Sequence, residues 1–437
     1  MSFSTRKFLF SAALLLSSPL FAQSGSAARN SERDDMEALR RWLQDKRMVS
    51  VKELGGDLSL SCEVRTEFQD SSEIYNGKEL RNNIDGKVPR AWDVEVNIMI
   101  DYRTDFTWAN IKLEFDNDMG IFNASDNKIK LERAYIGGRI ISSDTLTLDA
   151  ELGRRFLSVY DSKLQYGCRF DGLLFRLSKA FENVGDFYVT PSVIIVSDKS
   201  DHYAYAAEIG ALQIANTNLY VKGSAVYWYK DTNRLLPNQS RYCVAQILPA
   251  YQFYPEWFNK RLIKFYGAAL CNVMAQRLRL PLGDPANPEK ALLVDGRKQW
   301  KHFSRQNWGW YVGAALGTVK KAGDWAVEGN FQWLQAQAVP QYDSSGIGRG
   351  NSRGAGLFLV NPDRPVTPDK PITLDNLTTT QNAAGNGNFY GFELDALYAF
   401  TSNLTMEQNV KLSWTLDKDI GPNINYRQWE IEFIYAF

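Results

Sequence analysis

Histidine is almost missing from this chain: His202 and His302 are the two imidazoles in 437 residues. That leaves little material for a zinc site or a His-based acid–base centre. Long apolar runs are missing too. A membrane-crossing helix needs roughly 20 consecutive apolar residues, and none occurs beyond the N-terminus. With charged residues at 23% and evenly spread, a bundle of membrane helices is excluded. A basic surplus is also lacking, because 50 Lys and Arg balance 50 Asp and Glu. Nucleic-acid binders carry such a surplus, so nucleic acid is not an expected partner, and no cofactor is expected either. Cysteine is sparse. Cys62, Cys168, Cys243 and Cys271 are compatible with disulfides after export, but their pairing does not follow from sequence. Cys62 and Cys271 fall on apolar-facing positions, where they also serve as small packing residues.

What is present begins with a targeting pattern. Arg6 and Lys7 precede the apolar run 8–21, Pro19 breaks it, and Ala22 supplies the small residue of a cleavage site. We read 1–22 as a signal peptide; an uncleaved anchor is disfavoured by the shortness of the run. Losing two basic residues and no acidic one leaves a slight acidic excess. Residues 31–48 read as a helix: Ser31 caps it, Asp34 follows three residues on, and Met36, Leu39 and Leu43 share a face. The expected organisation is a signal peptide over 1–22, a periplasmic segment with this helix over 23–56, and a β-barrel over 57–437.

From Asp57 onward the period is two. Trp92, Val94, Val96, Ile98, Ile100 and Tyr102 alternate with Asp93, Glu95, Asn97 and Asp101. Phe392, Leu394, Ala396, Tyr398 and Phe400 alternate with Glu393 and Asp395. Val410, Leu412 and Trp414 alternate with Lys411 and Ser413. The last stretch sets Trp429, Ile431, Phe433, Tyr435 and Phe437 against Glu430 and Glu432. Successive strand side chains point to opposite faces, so each segment has one apolar and one polar face. A soluble sandwich alternates as well. Three features favour a membrane barrel: strands of about 10 residues, aromatics near both ends of the apolar faces, and an alternating final strand ending on Phe437. That ending resembles the signal read by the outer-membrane assembly machinery.

Sixteen strands are expected, near 57–68, 91–103, 107–116, 131–142, 145–153, 171–182, 186–197, 202–213, 218–230, 241–254, 261–275, 307–319, 324–336, 389–400, 403–417 and 426–437. The expected fold is therefore all-β, an antiparallel transmembrane β-barrel. Long and short connections alternate, as in bacterial outer-membrane barrels, with 198–201 as the one misfit. The connection 337–388 is long enough for two more strands near Gly354 to Val360, so eighteen is the alternative. A barrel of this size leaves an aqueous channel, which makes passage of small solutes the default function and outer-membrane lipid its surroundings.

Two sets of charges are candidate sites. The third long connection carries Arg154, Arg155, Asp161, Lys163 and Arg169, with Asp171 just after; folded inward, they form a pore constriction, and otherwise they belong to an ordinary external loop. The inward parity carries Asp93, Glu95, Asp101, Glu114, Asp116, Asp149, Glu151, Glu393, Asp395, Glu407, Glu430 and Glu432. Arg103, Lys112, Arg133, Arg139, Arg176, Lys222, Lys264 and Lys411 oppose them. Such a lumen attracts cations, or its charges simply pair across strands and keep the wall wet. A barrel enzyme needs a Ser–His or Asp–His pair at its edge. His202 at a strand start and His302 in a loop offer poor material, so no enzyme is expected.

The run Gly153-Arg154-Arg155, Tyr160-Asp161-Ser162 and Arg169-Phe170-Asp171-Gly172-Leu173, together with the Phe437 ending, resembles the OprB-type outer-membrane porins. The similarity is greatest to the arginine-conducting porins. It implies passive uptake of L-arginine, with carbohydrate uptake, the better-known role of the OprB type, as the alternative. It carries no ligand residues over. The oligomeric state, monomer or homo-oligomer, stays open.

Overall fold

The computed structural model describes residues 49–53, 56–75, 77–79, 90–118, 128–197, 202–230, 241–284, 287–340, 343–347, 387–420 and 423–437. The expected signal peptide, the 31–48 helix and the stretch 354–360 lie outside the described residues.

Sixteen antiparallel strands run in chain order: β1 (Gly56–Tyr75), β2 (Arg90–Arg103), β3 (Thr107–Asp118), β4 (Lys128–Ser142), β5 (Leu146–Phe156), β6 (Arg169–Phe181), β7 (Gly185–Ser197), β8 (His202–Leu212), β9 (Leu219–Lys230), β10 (Tyr242–Phe253), β11 (Ile263–Asn272), β12 (Trp308–Gly317), β13 (Trp325–Leu334), β14 (Phe389–Ala399), β15 (Leu404–Thr415) and β16 (Ile424–Ala436). Each pairs with the next, and β16 pairs back onto β1 from Glu63↔Ala436 to Tyr75↔Ile424. The sheet is closed with sixteen strands, not eighteen. Phe437 donates its backbone N–H to the Cys62 carbonyl and accepts one from the Cys62 N–H, both at 2.9 Å.

β1 outlasts its sequence expectation by a full turn of pairing, to Tyr75, because β16 continues alongside it. Its lower end runs below the last residue of β16. There a short strand, Val49–Glu53, turns back and pairs with Gly56–Leu60. This stretch belongs to the segment expected to precede the barrel, so the sheet begins earlier than the alternation suggested. The return satisfies N–H and C=O groups that would otherwise form an open edge.

The short turns on that side are built by side-chain oxygens. The Thr104 hydroxyl accepts from the Thr107 N–H at 2.9 Å, the Ser143 hydroxyl from the Leu146 N–H at 3.0 Å, and the Thr401 hydroxyl from the Leu404 N–H at 3.0 Å. Such hydroxyls mimic a backbone turn. Long connections lie at the other end, except between Ser197 and His202.

Burial follows the alternation. Outward positions are exposed and apolar: Ile136 at 61%, Leu152 at 55%, Leu394 at 47%. Their inward neighbours are polar and covered, including Asn97, Glu63, Gln332 and Ser413. Aromatic rings gather in two outer belts. Phe68, Trp92 and Trp429 cluster toward the long-connection end, as do Trp310, Phe331 and Trp333. Tyr398, Phe400 and Phe433, and Tyr435 with Phe437, lie toward the turns. An apolar exterior between aromatic girdles suits a hydrocarbon slab.

The four cysteines are free thiols, with Cys62 and Cys271 on outward positions as expected.

The parity yields a direct check. Leu394→Lys should destabilise the barrel by about 2–4 kcal/mol near the bilayer midplane. Lys411→Leu, on the inward face, should lose less. Urea unfolding in lipid vesicles measures both; equal losses would show that the faces of β14 and β15 are misassigned.

Candidate functional site: the lumen and the segment that crosses it

The connection between β5 and β6 does not loop outward. It opens with a 3-10 turn, Leu157–Val159, and runs inside the barrel against β7 to β10. Apolar side chains draw it there: Leu157, Tyr160, Leu164 and Tyr166 are each at most 1% exposed, within one cluster with Phe170, Leu174, Tyr188 and Ile194. Burying chains of this size stabilises by about 1.5–3 kcal/mol each. Their polar ends are matched to wall groups. The Tyr160 hydroxyl lies 3.0 Å from the Thr190 carbonyl and 2.8 Å from the Ser192 hydroxyl, and the Tyr166 hydroxyl lies 2.7 Å from that of Ser224. Burial pushes both phenols up, so they stay protonated donors.

Charges fasten the segment further. Lys222 of β9 meets Asp161 at 2.8 Å, and the Asp161 N–H points at Glu208 of β8. Ser162 bonds Gln246 of β10 at 2.7 Å. Across the lumen Lys163 pairs with Glu328 of β13, which also accepts from the Tyr266 hydroxyl at 2.8 Å. A second segment, Asp343 to Ile347, braces it. The Ser345 N–H donates to the Leu164 carbonyl at 2.9 Å, and Gly167 donates to Asp343 at 3.2 Å. Gly346 has φ +83°, and a Cβ there would sit 2.4 Å from Gln332 Oε1 and 2.7 Å from the Lys163 carbonyl. Only glycine allows that approach.

The six residues expected at a constriction therefore separate. Asp161 and Lys163 lie inside, and Arg155 points inward, paired with Glu151 and stacked over Tyr135 at 4.9 Å. Arg154 and Asp171 do not reach the lumen. They take the outward parity of Leu152 and Leu177 and bond each other in a fork, both contacts 2.8 Å. Arg169 shares the outward parity of Asp171, stacks over Phe156 at 5.1 Å and pairs with Glu132. The physical reason is strand length: β5 runs to Phe156 and β6 starts at Arg169, so the period of two governs Arg154 and Arg169, expected in the connection, as it governs Asp171 in its expected strand.

The segment lies on the inner faces of β7 to β10, and the inward-facing carboxylates stand mostly on the rest of the wall, β1 to β5 and β13 to β16. Seven of the carboxylates named from the sequence stand on these inward rows with the following neighbours. Glu95 and Glu432 face Arg65, at 3.8 and 3.2 Å. Glu114 pairs with Lys130 at 2.8 Å. Glu393 accepts from Asn330 and Gln332, with Lys411 at 3.8 Å. Asp395 accepts from Asn409, and Glu430 from Gln428 at 2.6 Å. Asp93 lies on the same inward row as Glu67, a residue the sequence reading omitted. Glu63, Arg65 and Glu67 were readable from the alternation of Cys62, Val64, Thr66 and Phe68. Glu208 and Glu328 were not, because small residues interrupt the apolar rhythm of β8 and β13.

The guanidinium groups collect on one stretch of wall. Arg133, Arg155 and Arg176 point inward from β4, β5 and β6, with Arg133 and Arg176 within electrostatic reach of Arg155. Arg139 pairs with Asp149 at 2.9 Å, and Arg176 stacks over Tyr188 at 4.8 Å. Arg133 and Arg176 have no ion-pair partner among the described residues, and the Nε of each is buried without a hydrogen bond.

No protein-family model matches the sequence, and no curated protein matches it. Among solved structures the chain is similar to the OprB of Pseudomonas putida, at 10% identity and a TM-score of 0.47, covering 92% of this chain and 97% of that one. It is also similar to a triple variant of the Rhodopseudomonas blastica porin, at 9% identity and a TM-score of 0.39, covering 87% and 100%.

The anchoring of the segment makes its own prediction. Breaking a largely buried pair by removing one partner costs about 3–5 kcal/mol. Lys222→Met should therefore loosen the segment, and adding Asp161→Asn should restore much of the order. A nitroxide at Ser162 reads this as spectral lines that narrow in the first variant and broaden again in the second. Equal mobility in all three proteins would show that the pair does not hold the segment.

Proposed function

We propose that this protein is an outer-membrane porin through which small solutes diffuse passively. The observation that carries the reading is the inside of the closed barrel: inward rows of polar and charged side chains beside a segment that crosses the lumen. The apolar belt between aromatic girdles supports residence in a membrane. A closed barrel with short turns at one end and long connections at the other supports the bacterial outer membrane.

The solute we favour is L-arginine, in line with the resemblance of the sequence to the chlamydial arginine porin AaxA. Arginine carries a guanidinium at one end and an α-carboxylate near the other. The carboxylates of Glu67, Asp93, Glu95, Glu393, Asp395 and Glu430 suit the first. The guanidinium groups of Arg133 and Arg176, without an ion-pair partner among the described residues, suit the second, since Arg holds carboxylates through parallel hydrogen bonds. Asp161 and Lys163, on the crossing segment, set the charge at its narrowest place in this reading. Much of the acidic wall is already matched by Arg65, Lys130 and Lys411, so the expected preference for cations is weak.

Vesicles containing the purified protein should swell faster in L-arginine than in glucose, and slowest in L-glutamate. Glucose entering faster than arginine would favour the carbohydrate reading. Under a salt gradient, single channels should show a small cation-selective reversal potential, reduced by Glu393→Gln with Glu430→Gln. Anion selectivity in the unaltered protein would contradict an acidic path, and absence of any conductance would remove the porin reading.

A further inference from the structure

A notch of about 660 Å³ opens at the long-connection end of the wall, lined by Arg277, His302, Arg305, Trp308 and Gln335 among others. It faces outward rather than into the lumen. Trp308 and Gln335 share the outward parity of Cys271, Trp310 and Trp333, and the Asn307 amide donates to Cys271 Sγ at 3.2 Å. The floor is held firmly. Trp308 and Gln335 exchange hydrogen bonds at 2.9 Å, and the Phe303 N–H donates to the Leu278 carbonyl at 2.9 Å, fixing the limb of Arg277 against the limb of His302 and Arg305.

The charge of the notch is one-sided. Among the described residues Arg277, Arg305 and neighbouring Arg279 are exposed and have no ion-pair partner, and no carboxylate lines the notch. Elsewhere on this protein guanidinium groups are repeatedly matched by carboxylates, as at Arg65, Arg139, Arg154 and Arg169. Immediately beside the notch the apolar belt begins with Val273, Trp308 and Trp310, all exposed. Cations directly above a Trp-marked apolar surface match a ligand with an anionic head and hydrocarbon tails.

We propose that this notch binds the phosphate head of an outer-leaflet glycolipid of the lipid A type. Arg277 and Arg305 grip the phosphomonoester, and the acyl chains lie over Trp308, Trp310 and Val273. The proposal rests on the outer-membrane reading but not on which solute passes through the pore.

The test uses the full chain in bilayer nanodiscs, with bisphosphorylated lipid A and its dephosphorylated form as probes, binding being read by native mass spectrometry. Loss of two charge-assisted partners predicts binding weaker by roughly tenfold or more in Arg277→Gln/Arg305→Gln. Arg297→Gln/Lys298→Gln, on the exposed hairpin of the same connection, should bind as the unaltered protein does. Bilayer conductance, expected unchanged in both variants, confirms folding and tests the pore separately. Equal retention of the two lipid forms, or equal binding by the Arg277/Arg305 variant, would overturn the proposal. So would inorganic phosphate displacing the lipid at matched concentration, because the tails would then contribute nothing.

Discussion

Backbone hydrogen bonding at the seam between β1 and β16 governs everything else in this molecule. In hydrocarbon an unpaired peptide group costs several kcal/mol, so a sheet survives there only when it has no edge. The seam runs the length of β16 and finishes with the paired Cys62 and Phe437 backbones. Where β16 ends, Val49–Glu53 takes its place beside β1. Once the sheet is closed, a period of two has a single consequence: one set of side chains meets the outside, the other the lumen.

The two faces then obey different energetics. Outside, apolar chains and aromatic belts contact the surroundings, and a charge there must be matched on the spot, as Arg154 and Asp171 are. Inside, cationic and amide side chains temper the cost of charge, so carboxylates persist in numbers. The crossing segment sorts this interior. Its Leu and Tyr anchors pack against one part of the wall, around Tyr188, Ile194 and Trp228, while the charged rows stand mostly on the rest. The acidic rows and the guanidinium groups of Arg133 and Arg176, which have no ion-pair partner among the described residues, consequently line the same interior.

Most of the fold was legible because alternation is a strong signal wherever both faces are chemically distinct. All sixteen strands fell close to their expected positions. The signal weakens at strand ends, where both parities are polar. That is why Arg154 and Arg169 were placed in a connection, although continuing the rhythm of Leu148, Ala150 and Leu152 places Arg154 outside. The inward folding of 157–168 also had a signature that charge alone obscured: Leu157, Tyr160, Leu164 and Tyr166 are too apolar for a solvated connection. The wall partners of the segment, Lys222, Gln246 and Glu328, are distant in sequence and were beyond reach of local pattern.

The central claim is that the crossing segment sets the free section of a solute channel. It is tested most directly by single-channel conductance in planar bilayers, comparing the unaltered protein with one in which 158–167 is replaced by a short Gly-Ser turn. The account predicts a severalfold higher conductance and weaker discrimination between charged and neutral solutes, with heat-modifiable mobility retained. A folded variant with unchanged conductance would contradict it.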